Sequence, residues 1–202
     1  DGYNISTATG ANARSFIQIF RKLLNSDICY VLTSSPRYII HAYFASKILG
    51  KKLAIRIGGD FFWERAYEAR RTNLPLRLYY SKHKKNVKEK IVFLISKHIL
   101  KNTDFVIFTS AFLKNLYVQY YGIRDTKSAV IENAYPALQA LIEAWMGGPR
   151  VILYAGRLIK LKNLDMLIRA FADVCKEASK ELVLKIIGEG SEAYCLRKLA
   201  QE

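Results

Sequence analysis

Two cations within the stretch VILYAGRLIKLKNLDMLIRAFADVC, residues 151–175, have the spacing of an anion site. Val151–Ala155 is a short apolar run of the buried-strand kind, Gly156 breaks it, and a loop carrying Arg157, Lys160 and Lys162 follows. Asn163 reads as an N-cap, and Asp165 suits the positive end of a helix. Leu164, Leu167, Ile168, Phe171 and Cys175 then recur on one helical face. Strand, glycine turn, basic loop and helix together put cations beside a helix N-terminus, at the carboxyl end of a strand, where phosphates bind. Arg157 would offer a bidentate fork and Lys162 a mobile point charge. The same pattern also fits a strand–helix loop that merely carries solvated cations, since the chain holds 32 Lys and Arg against 17 Asp and Glu.

A second cluster is Arg56-Ile57-Gly58-Gly59-Asp60-Phe61-Phe62-Trp63-Glu64. Paired glycines after a strand allow a turn other residues resist and let a ligand approach the backbone. Asp60 and Glu64 stand at the start of a predicted helix. An N-cap with a dipole-matching Glu accounts for them structurally, and a carboxylate at a substrate loop accounts for them chemically.

The elements that must position these residues follow from periodicity. Helices are predicted over residues 11–24, 38–49, 111–121 and 191–200, and strands over 28–32, 52–57, 105–108, 127–131, 151–155 and 182–188. Gly50 and Gly122 close helices, and Thr109-Ser110 opens one. Leu138, Leu141, Ile142 and Trp145 mark a short amphipathic helix ended by Gly147-Gly148. Strands alternating with helices make this an α/β protein with parallel sheets. The domains read as residues 1–136, a linker over 137–150, and a second domain from 151 to 202.

GRLIKLKNLDMLIRAF followed by LVLKIIGEGSE resembles the start of the C-terminal domain of the retaining, nucleotide-sugar-dependent GT-B glycosyltransferases of family 4. Gly156-Arg157, Lys162-Asn163 and Gly188-Glu189-Gly190 carry the likeness, and Ser110 and Asn133 match the run that closes the family's N-terminal domain. The resemblance implies a GT-B fold, two Rossmann-like domains with a cleft between them, the second truncated here. It implies that Arg157 and Lys162 hold the donor diphosphate, with Gly156, Gly188 and Gly190 beside them. It implies that Gly58, Gly59 and Asn133 face the substrate and that Asp60 touches the transferred sugar or the acceptor hydroxyl. Many members carry a His where this chain has Gly58, which removes one usual contact. The reaction implied is transfer of a sugar, with retention, to a glycan or lipid-linked acceptor hydroxyl in polysaccharide or glycolipid biosynthesis. The donor is a substrate and no cofactor is implied. A cytoplasmic location, peripheral on the membrane, goes with it. The family extends beyond this chain at both ends. Residue 1 is Asp rather than Met, and the paired-glutamate element that contacts the donor sugar and ribose has no match here.

The composition bounds what else is open. No apolar run reaches the roughly 18 residues of a membrane span. Cys29, Cys175 and Cys195 are odd in number and far apart, which suits buried thiols in a reducing compartment. There is no D-x-D, H-E-x-x-H, C-x-x-C, G-x-S-x-G or Walker lysine loop, and His41, His83 and His98 form no cluster, so no metal site is expected. A net charge of +15 calls for anionic partners. Residues 70–101 hold ten Lys or Arg and one acid, interleaved with Tyr79, Tyr80 and aliphatic residues. That stretch fits a solvated basic face, an amphipathic helix on anionic lipid, or, with less support, a nucleic-acid track. Two rivals stay open: a non-catalytic basic module for nucleic acid or anionic glycan, and a GT-B epimerase or phosphorylase.

Overall fold

Short β-branched runs that alternate with amphipathic segments build two units in the computed structural model. The structure describes residues 13–134, 150–177 and 181–201. The linker up to residue 149 and the amphipathic helix predicted over 138–145 lie outside the described residues, while Arg150 already belongs to a strand.

The first unit contains residues 1–65 and 72–135. Its sheet has four parallel strands in chain order: β1 (Ile28–Val31), β2 (Lys52–Ile57), β3 (Phe105–Phe108) and β4 (Ser128–Val130). Parallel neighbours demand crossovers. Helix α1 (Ala13–Leu24) precedes β1, and α2 (Pro36–Leu49) links β1 to β2. Three helices, α3 (Phe61–Glu68), α4 (Leu76–Lys82) and α5 (Val87–Asn102), link β2 to β3, and α6 (Ala111–Tyr121) links β3 to β4. The helix ends follow local chemistry. Pro36 opens α2, Gly50 closes it in the left-handed conformation at φ 63°, and the Ser110 Oγ accepts from the Leu113 N–H at 3.3 Å. Along β2, Leu53, Ile55 and Ile57 alternate into the core; Ile55 and Ile57 lie beside Val106 and Phe108 of β3, and Ile39 and Ala45 of α2 are buried as well.

The second unit contains residues 66–71 and 136–202. Strands β5 (Arg150–Ala155) and β6 (Leu182–Ile187) pair in parallel over six positions. Helix α7 (Leu164–Glu177) follows β5 and α8 (Ala193–Leu199) follows β6. Leu158, Leu164, Ile168 and Leu196 form a small core against Tyr154, Leu184 and Ile186. Alternation sends Val151, Leu153 and Ile187 to the other sheet face, where they are exposed.

The basic stretch is two helices rather than one. Pro75 and the segment 83–86 bound α4, and Asn86 starts α5 with a reciprocal capping box: its side chain accepts from the Glu89 N–H, while Glu89 accepts from the Asn86 N–H. Tyr79 and Tyr80 are buried, so these rings cannot stack on bases.

Candidate functional site

In the second unit, the loops after β5 and β6 are joined by main-chain bonds. The Gly156 N–H donates to the Ile187 carbonyl at 2.9 Å, the Leu158 N–H to the Glu189 carbonyl at 2.8 Å, and the Glu192 N–H to the Leu158 carbonyl at 2.9 Å. This close approach explains two glycines. Gly188 sits at φ 148°, and a Cβ there would strike the Gly156 carbonyl oxygen; a Cβ on Gly190 would strike the Leu158 carbonyl oxygen. Gly156, Arg157, Gly188 and Gly190 therefore meet at the carboxyl end of the sheet.

Buried Leu158 and Leu164 anchor the two ends of the basic loop. Between them Lys160–Lys162 forms one 3₁₀ turn, and Arg157 and Lys162 keep exposed side chains. The Arg157 carbonyl accepts from the Tyr154 hydroxyl at 3.0 Å, which fixes its backbone. Lys160 is diverted: it is half-buried, with Nζ 5.5 Å from the centre of the Tyr67 ring. Asn163 does stand at the N-cap position of α7, but in the left-handed rather than the extended conformation. It has φ 49° and ψ 41°, closes the 3₁₀ turn through its N–H to the Lys160 carbonyl, and accepts from the Leu167 N–H through its own carbonyl. An N-cap is usually extended. Here the turn geometry wins, and Asn tolerates the left-handed region.

In the first unit, the carboxyl ends of β2, β3 and β4 bring together Gly58, Gly59, Ser110 and Asn133. The Thr109 N–H donates to the Ile57 carbonyl at 3.3 Å, tying the turn after β3 to the end of β2. The Asn133 Oδ1 accepts from Arg56 Nη2 at 2.7 Å, and the same nitrogen donates to the Ile131 carbonyl at 3.2 Å. Sequence reasoning gave Arg56 no role. Its signal was a cation in mid-strand, where alternation aims it away from Ile55 and Ile57.

Asp60 departs from expectation. It is 1% exposed, so its carboxylate has no open face for a sugar or a hydroxyl. Oδ1 accepts from the Trp63 N–H at 2.8 Å, and Oδ2 accepts from the Tyr80 hydroxyl at 2.6 Å. The Tyr80 and Tyr121 hydroxyls lie 2.8 Å apart, and Tyr117, also bonded to Asp60, stacks on Tyr121 with ring centres 4.3 Å apart. Burial pushes the Asp60 carboxyl above its ordinary value; the Tyr80, Trp63 and Tyr117 bonds and the charge of Lys85 oppose it. Burial likewise holds the Tyr80, Tyr117 and Tyr121 hydroxyls far above theirs. The acid that stands at the glycine pair is Glu64, whose carboxylate occupies the space a Cβ on Gly59 would need.

Among the described residues no group of three or more His, Cys, Asp and Glu could hold a metal ion. What the two loop clusters offer chemically is exposed cations on a rigid main chain in the second unit, and an Arg–Asn pair beside a glycine turn in the first.

Comparison with known proteins agrees on architecture. Residues 142–202 match the model of the family "Glycosyl transferases group 1". An uncharacterized glycosyltransferase of Methanocaldococcus jannaschii is 27% identical over 116 residues, which cover 52% of this chain and 29% of that protein. Among solved structures, HepE of Anabaena in complex with UDP superposes with a TM-score of 0.60 at 16% identity, over 94% of this chain and 48% of that one. Its complex with UDP-glucose gives 0.60 at 15% identity, over 93% and 47%. The chain thus spans about half the length of the solved proteins it resembles. The fold is the Rossmann-like GT-B fold, with parallel sheets in both units.

Proposed function

We propose that this chain is part of a retaining glycosyltransferase that moves a sugar from a nucleotide-sugar donor to an acceptor hydroxyl, on a glycan or a lipid-linked sugar. The observation that carries the reading is the joining of the Gly156–Leu158 loop to the Gly188–Gly190 loop, with Arg157 and Lys162 exposed beside it. A rigid main chain presenting two cations suits a diphosphate. In this reading Arg157 and Lys162 bind the donor and neutralise the charge that develops on the leaving diphosphate, with no metal ion. Gly58, Gly59 and Asn133 border the acceptor side, with Arg56 holding Asn133. Asp60 acts as a positioning residue that fixes the start of α3, and Glu64 is the acid at the glycine turn.

Because HepE was solved with UDP and with UDP-glucose, UDP is the first probe. Calorimetric titration of the complete protein is expected to give binding that Arg157→Ala/Lys162→Ala weakens tenfold or more, since a hydrogen bond to a charged group contributes about 1.5–3 kcal/mol. Unchanged affinity and turnover in the double variant would remove the assignment. Turnover with the donor should persist in chelator and give a product of the donor's anomeric configuration. A free epimerised sugar or a phosphate requirement would instead indicate an epimerase or phosphorylase.

A further inference from the structure

The second unit includes residues 66–71, the last turn of α3 and the bend that ends it. Two side chains of this segment hold the middle of the basic loop. The Glu68 Oε1 accepts from the Leu161 N–H at 2.8 Å, and the Tyr67 ring faces the ammonium group of the neighbouring Lys160. Leu161 needs an acceptor from outside the loop. Its N–H lies in the 3₁₀ turn, and the carbonyl three residues back is that of Leu158, which takes the Glu192 N–H instead. The next two donors are met within the loop: the Lys162 N–H bonds the Ile159 carbonyl and the Asn163 N–H the Lys160 carbonyl, both at 3.0 Å. Main-chain bonds to residues 189–192 thus hold one flank of the loop, and a single carboxylate holds the other. The segment that supplies this carboxylate is itself fixed. Arg70 closes α3 in the left-handed conformation at φ 55°, where glycine is usual. The Arg71 N–H bonds the Ala66 carbonyl at 2.9 Å and the Arg70 N–H the Tyr67 carbonyl at 3.0 Å, which sets the helical turn that carries Glu68.

We infer that Glu68 is a positioning residue for donor binding: by holding the Leu161 N–H it sets where Lys162 stands. Lys162 is the next residue, with its Cα about 3.8 Å from that of Leu161, so a turn that opens at Leu161 carries Lys162 with it. A charge displaced by about 1 Å from its partner loses much of its effect. Lys160 is no substitute, because Tyr67 holds it. Glu68 lies 93 residues before Leu161 in the chain, outside any motif of the loop itself. A carboxylate near a diphosphate also repels it, so the sign of the effect tells a positioning residue from a rival of the phosphate. The inference rests on the reading of Arg157 and Lys162 as donor ligands and adds the group that keeps the second of them in place.

The test is titration of the complete protein with UDP. Glu68→Ala should weaken binding about fivefold or more. Glu68→Gln should bind as well as the parent or better, because its amide oxygen still accepts from the Leu161 N–H and a negative charge is gone. In turnover, the donor KM should rise in Glu68→Ala while the acceptor KM stays unchanged. In a Lys162→Ala background the effect of Glu68→Ala should largely vanish, since Glu68 acts through that lysine; a residue that only stabilises the unit would weaken both backgrounds alike. Tighter UDP binding by Glu68→Ala, equal loss in the two backgrounds, or no rescue by Gln would overturn the inference. Hydrogen exchange at the Leu161 amide, measured without UDP, separates this failure from that of the donor reading. Exchange should be about tenfold faster in Glu68→Ala and unchanged in Glu68→Gln. Should the parent bind no UDP, the donor reading fails, and the hold of Glu68 on the loop is still judged by these rates, equal exchange in the Ala variant and the parent overturning it.

Discussion

Replacing Asp60 separates a residue that holds the fold from one that meets substrate. Asp60→Ala removes the acceptor for the Trp63 N–H, an N-cap contribution of about 1 kcal/mol. It also removes the acceptor of the Tyr80 hydroxyl at 2.6 Å, so the buried Tyr80–Tyr121 pair keeps its mutual bond but is left with one hydroxyl proton unmet, at about 1–3 kcal/mol. The sum is about 2–4 kcal/mol, reduced by whatever the wild type spends on burying a charge. Asp60→Asn keeps the shape and an acceptor oxygen, and its amide can donate to Tyr80, so it should cost about 1 kcal/mol or less. The assay is urea unfolding of the full chain in a Trp145→Phe background, so that the fluorescence followed is that of Trp63 in the first unit. The pH dependence has a definite sign. The folded carboxyl titrates above its ordinary value of 3.8, so the folded state prefers the neutral acid. Relative to Asp60→Asn, the wild type should gain stability as pH falls through the folded value, with the gain complete below 3.8 and absent at neutral pH. The reasoning is refuted if Asp60→Ala unfolds with the wild type, or if Asn and Ala cost the same.

Three further perturbations test other contacts. Gly188→Ala should destabilise the second unit by about 1–3 kcal/mol, because its Cβ meets the Gly156 carbonyl oxygen, and it should also weaken UDP binding; a thermal melt unchanged from wild type would contradict this. Asn86→Ala breaks the capping box of α5 and should lower the melting temperature by an amount that corresponds to about 1 kcal/mol. Asp104 is held below its ordinary value, because bonds from the Leu53 N–H and Lys52 outweigh a burial effect that would raise it. Asp104→Asn should therefore lose a small increment at neutral pH, and the difference should vanish in acid as the wild-type carboxyl takes up its proton.

What the sequence made legible depended on how each position is fixed. Strands β2, β3, β5 and β6 were readable because short apolar runs bounded by glycines or turn residues are local signals, and so was the strand–loop–helix order that puts Arg157 and Lys162 outside. Gly188 and Gly190 were readable as a motif, though their physical reason, two carbonyls of a loop some thirty residues earlier, is tertiary. Asp60 was readable as an N-cap but not as an enclosed carboxylate. Its N-cap bond is local, but Tyr80, Tyr117 and Tyr121 reach it from helices α4 and α6, and they turn a plausible catalytic carboxylate into an enclosed one. Asn163 was legible in position but not in conformation: Asn suits both an extended N-cap and a left-handed turn, and only the preceding 3₁₀ turn decides between them. Positions set by main-chain geometry thus appear in sequence, and positions set by side chains arriving from other helices do not. By that criterion the exposed cations at the joined loops rest on firmer ground than any carboxylate in the first unit, and the joined loops of the second unit are where function should be sought first.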